Sequence, residues 1–350
     1  MRDLGIYFGT FAPCHVGHFE QIVRAKRENR HAVVIISGYD GDRGDSIGMN
    51  LEHRTRAMRQ LLRNDSNVSI LELNETDIPR YPTGWKPWLE MLESLIIQAI
   101  ESLDFDVKST AFYMGENEYL EPLESYFTDK WPAVDIHMTM VDRKILGISG
   151  TEIRETPILN WDYVTRPFRR FFVQNVLVTG SPNSGKSMII EDLARRYSTS
   201  FSVEYAEDYF DEHQLKSPDL DAKDFHAIGI GQFELNRRHI HSNATRKVFF
   251  ADTDVLYSKV HNMLSGHDGK EYVNQIFEHY IHLQSWSLIL IMPPVPDASD
   301  YDKEFYRLLL SQLEHYGLME NAVILDDTYL HNYNRAHQLI DEILEDGKDN

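Results

Sequence analysis

At 350 residues the chain exceeds what one core of about 100–200 residues organises, so two domains are expected. Its apolar share of 42% and charged share of 26% are those of a folded globular protein and exclude a low-complexity chain. A formal net charge of −20 repels phosphate polymers and argues against nucleic acid as a main partner, whereas small phosphate ligands held by local amides stay compatible.

The chain opens Met1-Arg2-Asp3 and enters an apolar run at once, so neither a signal peptide nor an N-terminal helix-turn-helix module is expected. No apolar run is long enough to span a bilayer, so membrane insertion is not expected either. The single cysteine, Cys14, excludes an internal disulfide framework and fits a reducing cytoplasm. Residues 4–8 then read as a strand, 9–17 as a turn-rich loop, 18–29 as a helix and 32–37 as a β-branched strand. That order is a parallel βαβ unit, whose ligand site lies at the carboxyl ends of the strands. Helices at 52–63 and 88–103 and strands at 68–73, 111–114 and 136–141 continue the alternation.

The alternation lapses over 156–172, a segment with two prolines, aromatic residues and Arg166, Arg169 and Arg170, which places a domain boundary there. A second alternation follows: strand 175–179, helix 186–197, strand 201–205, helices to about 243 and strand 248–251. Helices at 255–264 and 272–282, strand 288–292, helix 303–315, strand 322–325 and a closing helix to 344 complete it. The expected fold is α/β, two doubly wound parallel-sheet domains over 1–165 and 166–350.

The loop Gly9-Thr10-Phe11-Ala12-Pro13-Cys14-His15-Val16-Gly17-His18 leaves a strand and enters a helix. Helix starts present unpaired amides and a positive dipole end, and two imidazoles at this spacing can add donors to the same anion. Gly147-Ile148-Ser149-Gly150-Thr151-Glu152-Ile153-Arg154 carries capping-box spacing between Ser149 and Glu152, so a second helix start is expected at Gly150 with Arg154 in its first turn. Gly180-Ser181-Pro182-Asn183-Ser184-Gly185-Lys186-Ser187 matches the P-loop pattern between a strand and a helix. In such a loop the amides around Gly180, Ser184 and Gly185 cradle β-phosphate, Lys186 reaches β- and γ-phosphates, and Ser187 serves the metal. Asp252, in Asp252-Thr253-Asp254 at a strand end, is the matching metal-side carboxylate, and Glu204-Tyr205-Ala206-Glu207-Asp208-Tyr209 offers carboxylates to a sugar hydroxyl.

The first two motifs resemble the nucleotidyltransferase superfamily, in which an H-x-G-H loop and an I-S-[ST]-x-x-R helix start jointly hold ATP. Residues 37–45 (SGYDGDRGD) and 78–85 (IPRYPTGW) make the chain similar, more closely, to the NadR family of nicotinamide-mononucleotide adenylyltransferases and ribosylnicotinamide kinases. That resemblance implies a Rossmann-like nucleotidyltransferase as the first domain and a P-loop kinase-like second domain, with ATP in the first at Gly9, Thr10, Phe11, His15, His18, Ser149, Thr151 and Arg154. It implies nicotinamide mononucleotide at Arg43 and Trp85, the indole stacked on the nicotinamide ring, with Arg54 a further phosphate contact. In the second domain it implies riboside at Glu204, Tyr205 and Asp208, and Mg2+ at Ser187 and Asp252. The catalytic set is then His15, His18 and Arg154 in the first domain, and Lys186, Glu204 and Asp252 in the second.

ATP, nicotinamide mononucleotide, nicotinamide riboside and NAD are the implied small molecules, a nicotinamide riboside transporter is an implied functional neighbour, and a homo-oligomer is compatible. Two departures bear on the kinase step. Glu207 stands where the family often has arginine, and residues 292–304, the place of a basic lid, carry Lys303 alone, with Arg307 one turn on. They favour a rival in which the P-loop domain senses nucleotide and regulates. A third reading, pantetheine phosphate as acceptor in the first domain, is opposed by Trp85 and its Tyr-Pro-x-Gly-Trp setting. His226, His239, His241, His279 and His282 fall within helices and are read as helix residues, not as a metal site.

Overall fold

A computed structural model describes residues 1–80, 83–141, 147–216, 219–267 and 271–345. Tyr81 and Pro82 of the IPRYPTGW segment lie outside the described residues. The chain forms two compact units, Met1–Phe171 and Phe172–Asn350. Among the described residues no helix is long and apolar enough to cross a membrane.

In the first unit the chain runs β1 (Arg2–Gly9), α1 (Val16–Glu28), β2 (Asn29–Gly38), α2 (Leu51–Leu61), β3 (Val68–Asn74) and α3 (Trp85–Glu101), then β4 (Ser109–Met114), α4 (Leu120–Lys130), β5 (Asp135–Met140), α5 (Gly150–Glu155) and α6 (Arg166–Arg169). All strands are parallel in the order β3-β2-β1-β4-β5. A parallel strand covered on both faces must be apolar throughout, and Ala32, Val33, Val34, Ile35 and Ile36 of β2 are fully buried. The topology explains the site: the chain winds outward through β2 and β3, then crosses back to the other side of β1. At such a reversal the loops diverge and leave a crevice beyond the carboxyl ends of the strands.

The second unit contains β6 (Gln174–Gly180), α7 (Lys186–Tyr197), β7 (Phe201–Ser202), α8 (Tyr205–His213), α9 (Ala222–Ile240), β8 (Val248–Asp252) and α10 (Val255–Leu264). It ends with α11 (Glu271–His282), β9 (Leu288–Met292), α12 (Asp300–His315), β10 (Ala322–Ile324) and α13 (Tyr329–Glu345). Its sheet is again parallel, ordered β10-β9-β6-β8-β7, so β6 lies at the centre and its carboxyl end opens into the P-loop. The core joins Val176, Val178, Ile189, Ile190, Phe250 and Leu290, each fully buried. Full burial of one such side chain contributes about 1.5–3 kcal/mol, which lets the sheet hold a polar loop at its end.

Two expectations need revision. The strand predicted over 201–205 stops at Ser202, and Glu204 is the N-cap of α8, so the Glu-Tyr-Ala-Glu-Asp-Tyr segment opens a helix instead of ending a strand. The helix α4 was not expected from the sequence; its apolar stripe is narrow, with only Leu123 and Phe127 fully buried.

Candidate active sites

The first site is a cavity of about 480 Å³ at the carboxyl ends of the first sheet. His15 is the N-cap of α1; its Nδ1 accepts from the Gly17 amide at 3.2 Å, which turns the ring across the helix start. His18, one turn on, stacks against it with ring centroids 3.8 Å apart, and Phe11 packs edge-on against His18. The other wall is α5, whose start is closed by the capping box: Ser149 Oγ accepts from the Glu152 amide and Glu152 accepts from the Ser149 amide. Arg154 joins the walls. It donates to the Ala12 carbonyl at 2.6 Å and to Thr151 Oγ1 at 2.9 Å, although 142 positions separate it from Ala12.

Arg43 donates to Thr10 Oγ1 at 2.9 Å and completes the cationic end. Burial, and then the like charge of Arg43, pull the Arg154 pKa below its usual value. A guanidinium stays protonated under such a pull, so the cluster is a preorganised seat for a polyanion. Toward α3 the character changes. Phe8, Trp88 and Tyr119 meet ring to edge, with Phe8 centroids 5.4 Å from Trp88 and 5.2 Å from Tyr119.

The second site is the loop after β6. Gly180 sits at φ 136, and a Cβ there would meet the Met292 carbonyl oxygen at 2.1 Å, so only glycine allows β6 to pass β9 at this point. Gly185, at φ 87, turns the loop into α7. Lys186 is buried; its Nζ donates to the Ser181 carbonyl at 3.0 Å and to Tyr257 Oη at 3.3 Å. Ser187 Oγ donates to Asp252 Oδ2 at 2.6 Å. Asp252 Oδ1 is buried with no hydrogen-bond partner, so this oxygen, beside Ser187 Oγ, could serve a cation.

Glu204 lies close to both groups. Burial pushes its pKa up to about 7, opposed by Lys186 and reinforced by Asp252 and Glu207. Its position is set by a buried amide network: Gln232 Oε1 accepts from the Tyr205 amide at 2.7 Å, and Gln232 donates to Asn236 Oδ1 at 3.0 Å. Glu207 and Asp208 are exposed on α8. Arg307 is exposed on α12 and bound to Glu304 at 2.6 Å.

The cytidylyltransferase-like family matches residues 6–156, and the AAA domain family matches residues 175–313. Two curated relatives, each named trifunctional NAD biosynthesis/regulator protein NadR, match 98% of this chain and 84% of their own length. The protein from Salmonella typhimurium is 25% identical and that from Escherichia coli 26%. A crystal structure of a NadR protein in complex with NR is 35% identical, covers 98% of this chain and 96% of its own, and superposes with a TM-score of 0.88. The chain belongs to the NadR family. A second NadR crystal structure, in complex with NAD and AMP-PNP, agrees at 35% identity over the same shares with a TM-score of 0.87.

In this NadR chain, Gly9, Thr10, Phe11, His15 and His18 line one cavity together with Arg43, Ser149, Thr151 and Arg154. Trp85 is not among the lining residues. It packs edge-on against Trp88 and Tyr119, and those two rings form the wall. Arg54 does not line the cavity: it is fully buried and paired with Asp42 at 2.7 Å. Asp42 also accepts from the Gly44 and Asp45 amides, so the pair braces the loop that presents Arg43. Sequence reading missed Trp88, Tyr119, Ser37 and Glu75. For Trp88 a signal existed, since it follows Trp85 by three residues on one helical face.

Proposed function

We propose that the first unit transfers the adenylyl group of ATP to nicotinamide mononucleotide, giving NAD and pyrophosphate, and that the second phosphorylates nicotinamide riboside with ATP. The transferase domain is assigned to 1–165 and the kinase domain to 166–350, while residues 166–171 belong to the first compact unit. One observation carries the reading: His15, His18, Arg43 and Arg154 line a single cavity between two helix starts.

In the first reaction a phosphate oxygen of the mononucleotide attacks the α-phosphorus of ATP, the bond to the β-phosphate breaks, and pyrophosphate leaves. The attacking group is already an anion, so no protein base is required. His15, His18 and Arg154, with the amides of α1 and α5, hold the triphosphate and stabilise the charge that moves onto the leaving oxygen. In the second reaction the P-loop amides and Lys186 hold the β- and γ-phosphates. On this reading Glu204, with a pKa near neutrality, accepts the proton of the riboside hydroxyl as its oxygen attacks the γ-phosphorus, the bond to the β-phosphate oxygen breaks and ADP leaves. Ser187 and Asp252 fit Mg2+, which when bound supplies neutralisation of phosphate charge.

A second reading has the P-loop unit bind nucleotide as a sensor. Glu207, together with the engagement of Arg307 by Glu304, favours it, because a guanidinium at the γ-phosphate elsewhere contributes about 10³–10⁵ in rate. Incubation with ATP, magnesium and either nicotinamide riboside or its mononucleotide, followed by chromatography of the products, tests both. NAD from the mononucleotide with riboside consumed supports the bifunctional reading; NAD with riboside untouched selects the sensor; no NAD from the mononucleotide overturns the transferase assignment.

A further inference from the structure

The first cavity ends, on the β3 side, in a feature the proposed chemistry has not used. Glu75 immediately follows β3 and lines the cavity. Its backbone amide donates to the Gly38 carbonyl at 2.8 Å, which fixes the residue against the end of β2. Trp88 donates its indole N–H to Glu75 Oε1 at 3.1 Å, and the Ser37 side chain lies beside the same carboxyl. A carboxylate is thus bolted to the aromatic wall of a cavity whose other end is cationic.

We infer that Glu75 is the specificity-determining residue of the acceptor site: it accepts a hydrogen bond from the carboxamide of the acceptor's pyridine ring and rejects a ring bearing a carboxylate. The inference rests on the adenylyl-transfer reading above. If the phosphates occupy the His15, His18 and Arg154 end, the acceptor's ring falls to Phe8, Trp88 and Tyr119. A carboxamide there offers two N–H donors. A carboxylate offers none, and would put a second negative charge beside the first in a partly desolvated site.

The Trp88 bond occupies one of the roughly four lone-pair positions of the Glu75 carboxylate and leaves room for others. Its pKa is raised, by burial first and also by the charge of Asp42, while the Trp88 indole, the neighbouring Ser37 and Arg80 pull the other way, toward the ionised, acceptor-only form. Of the other carboxylates that line the cavity, Glu152 is engaged in the α5 capping box, Glu20 is exposed on α1, and Glu116 is half-buried beyond β4 beside Glu118. Glu75 is the one whose carboxyl accepts from the Trp88 indole. Discrimination of this kind is built on repulsion as much as on attraction.

The test compares kcat/KM for ATP-dependent adenylyl transfer to nicotinamide mononucleotide and to nicotinic acid mononucleotide, using the full chain and Glu75→Gln. The glutamine keeps an acceptor for the Trp88 indole and presents an amide N–H to the ring substituent. The wild-type protein is expected to prefer the carboxamide, and Glu75→Gln to shrink that preference by about 10–100-fold, mainly by raising the rate with the carboxylate. An unchanged ratio in an active variant overturns the assignment of Glu75 and leaves adenylyl transfer standing; a wild-type protein inactive on both acceptors overturns both. Should Glu75→Gln fail to fold by circular dichroism, Trp88→Phe keeps the carboxylate but releases its tether. It is expected to lower the same ratio severalfold, and an unaltered ratio there sinks the proposal.

Discussion

The two nucleotide sites use one backbone device and opposite electrostatic surroundings. Each lies where a central parallel strand hands over to a helix, β1 to α1 and β6 to α7, so each offers amides to phosphate. Around the first stand His15, His18, Arg43 and Arg154, and the arginines are close enough for Arg43 to depress the Arg154 pKa. Around the second stands Lys186, with Glu204, Asp252 and Asp302 as its charged neighbours. The contrast teaches that a helix start supplies only the seat; the companions decide whether charge developing at phosphorus is stabilised or opposed. On the proposed kinase reading the acid-rich P-loop site would rely on a metal held at Ser187 and Asp252, whereas the first site brings its own cations.

The largest expected effect would sharpen this contrast from the cationic side. His18→Ala removes a donor aimed at the polyanion and is expected to lower pyrophosphate release by about 10²–10⁴-fold with the fold retained. Near-normal turnover in a continuous pyrophosphate assay would break the picture. Lys186→Ala is expected to lower riboside phosphorylation by about 100-fold or more while adenylyl transfer stays within about twofold, so that the two sites separate in one variant. Persistent riboside phosphorylation would remove the P-loop from the reaction.

Smaller effects concern the scaffolds. Arg54→Ala leaves Asp42 buried without its partner and is expected to destabilise the first unit by about 3–5 kcal/mol in denaturant unfolding, with the second unit's transition unmoved. Gly180→Ala sets a methyl group against the Met292 carbonyl and is expected to destabilise the second unit by about 1–3 kcal/mol; a shift in the first unit's transition instead would contradict the division. The smallest effect is a pH dependence. The folded pKa of Glu204, about 7, exceeds its reference value of 4.5, so the folded state binds the extra proton between those values. Its contribution therefore declines as pH rises through that window. Glu204→Gln should flatten the second unit's melting temperature between pH 4.5 and pH 7 relative to wild type, and an equal slope in both proteins would argue against a buried, proton-holding Glu204.

The sequence by itself determined the local chemistry. Gly180 to Ser187 is legible because a left-handed residue at Gly185 and a close backbone approach at Gly180 demand glycine wherever such a loop occurs, and Ser149 with Glu152 announces a helix start by contacts three residues apart. Strand β2 is legible because burial on both faces forces a continuous apolar run. Only the tertiary structure decided which charges are available. Arg54 reads as a phosphate ligand until Asp42, twelve positions earlier, claims it in the core, and Trp85 reads as the ring platform until α3 turns Trp88 onto the cavity. Glu75 has no motif at all; it acquires meaning from an indole thirteen residues away and a hydroxyl at the end of another strand. Pairing energies between groups distant in sequence depend on where the chain returns, and that return is set by packing of the whole sheet, which no local pattern encodes.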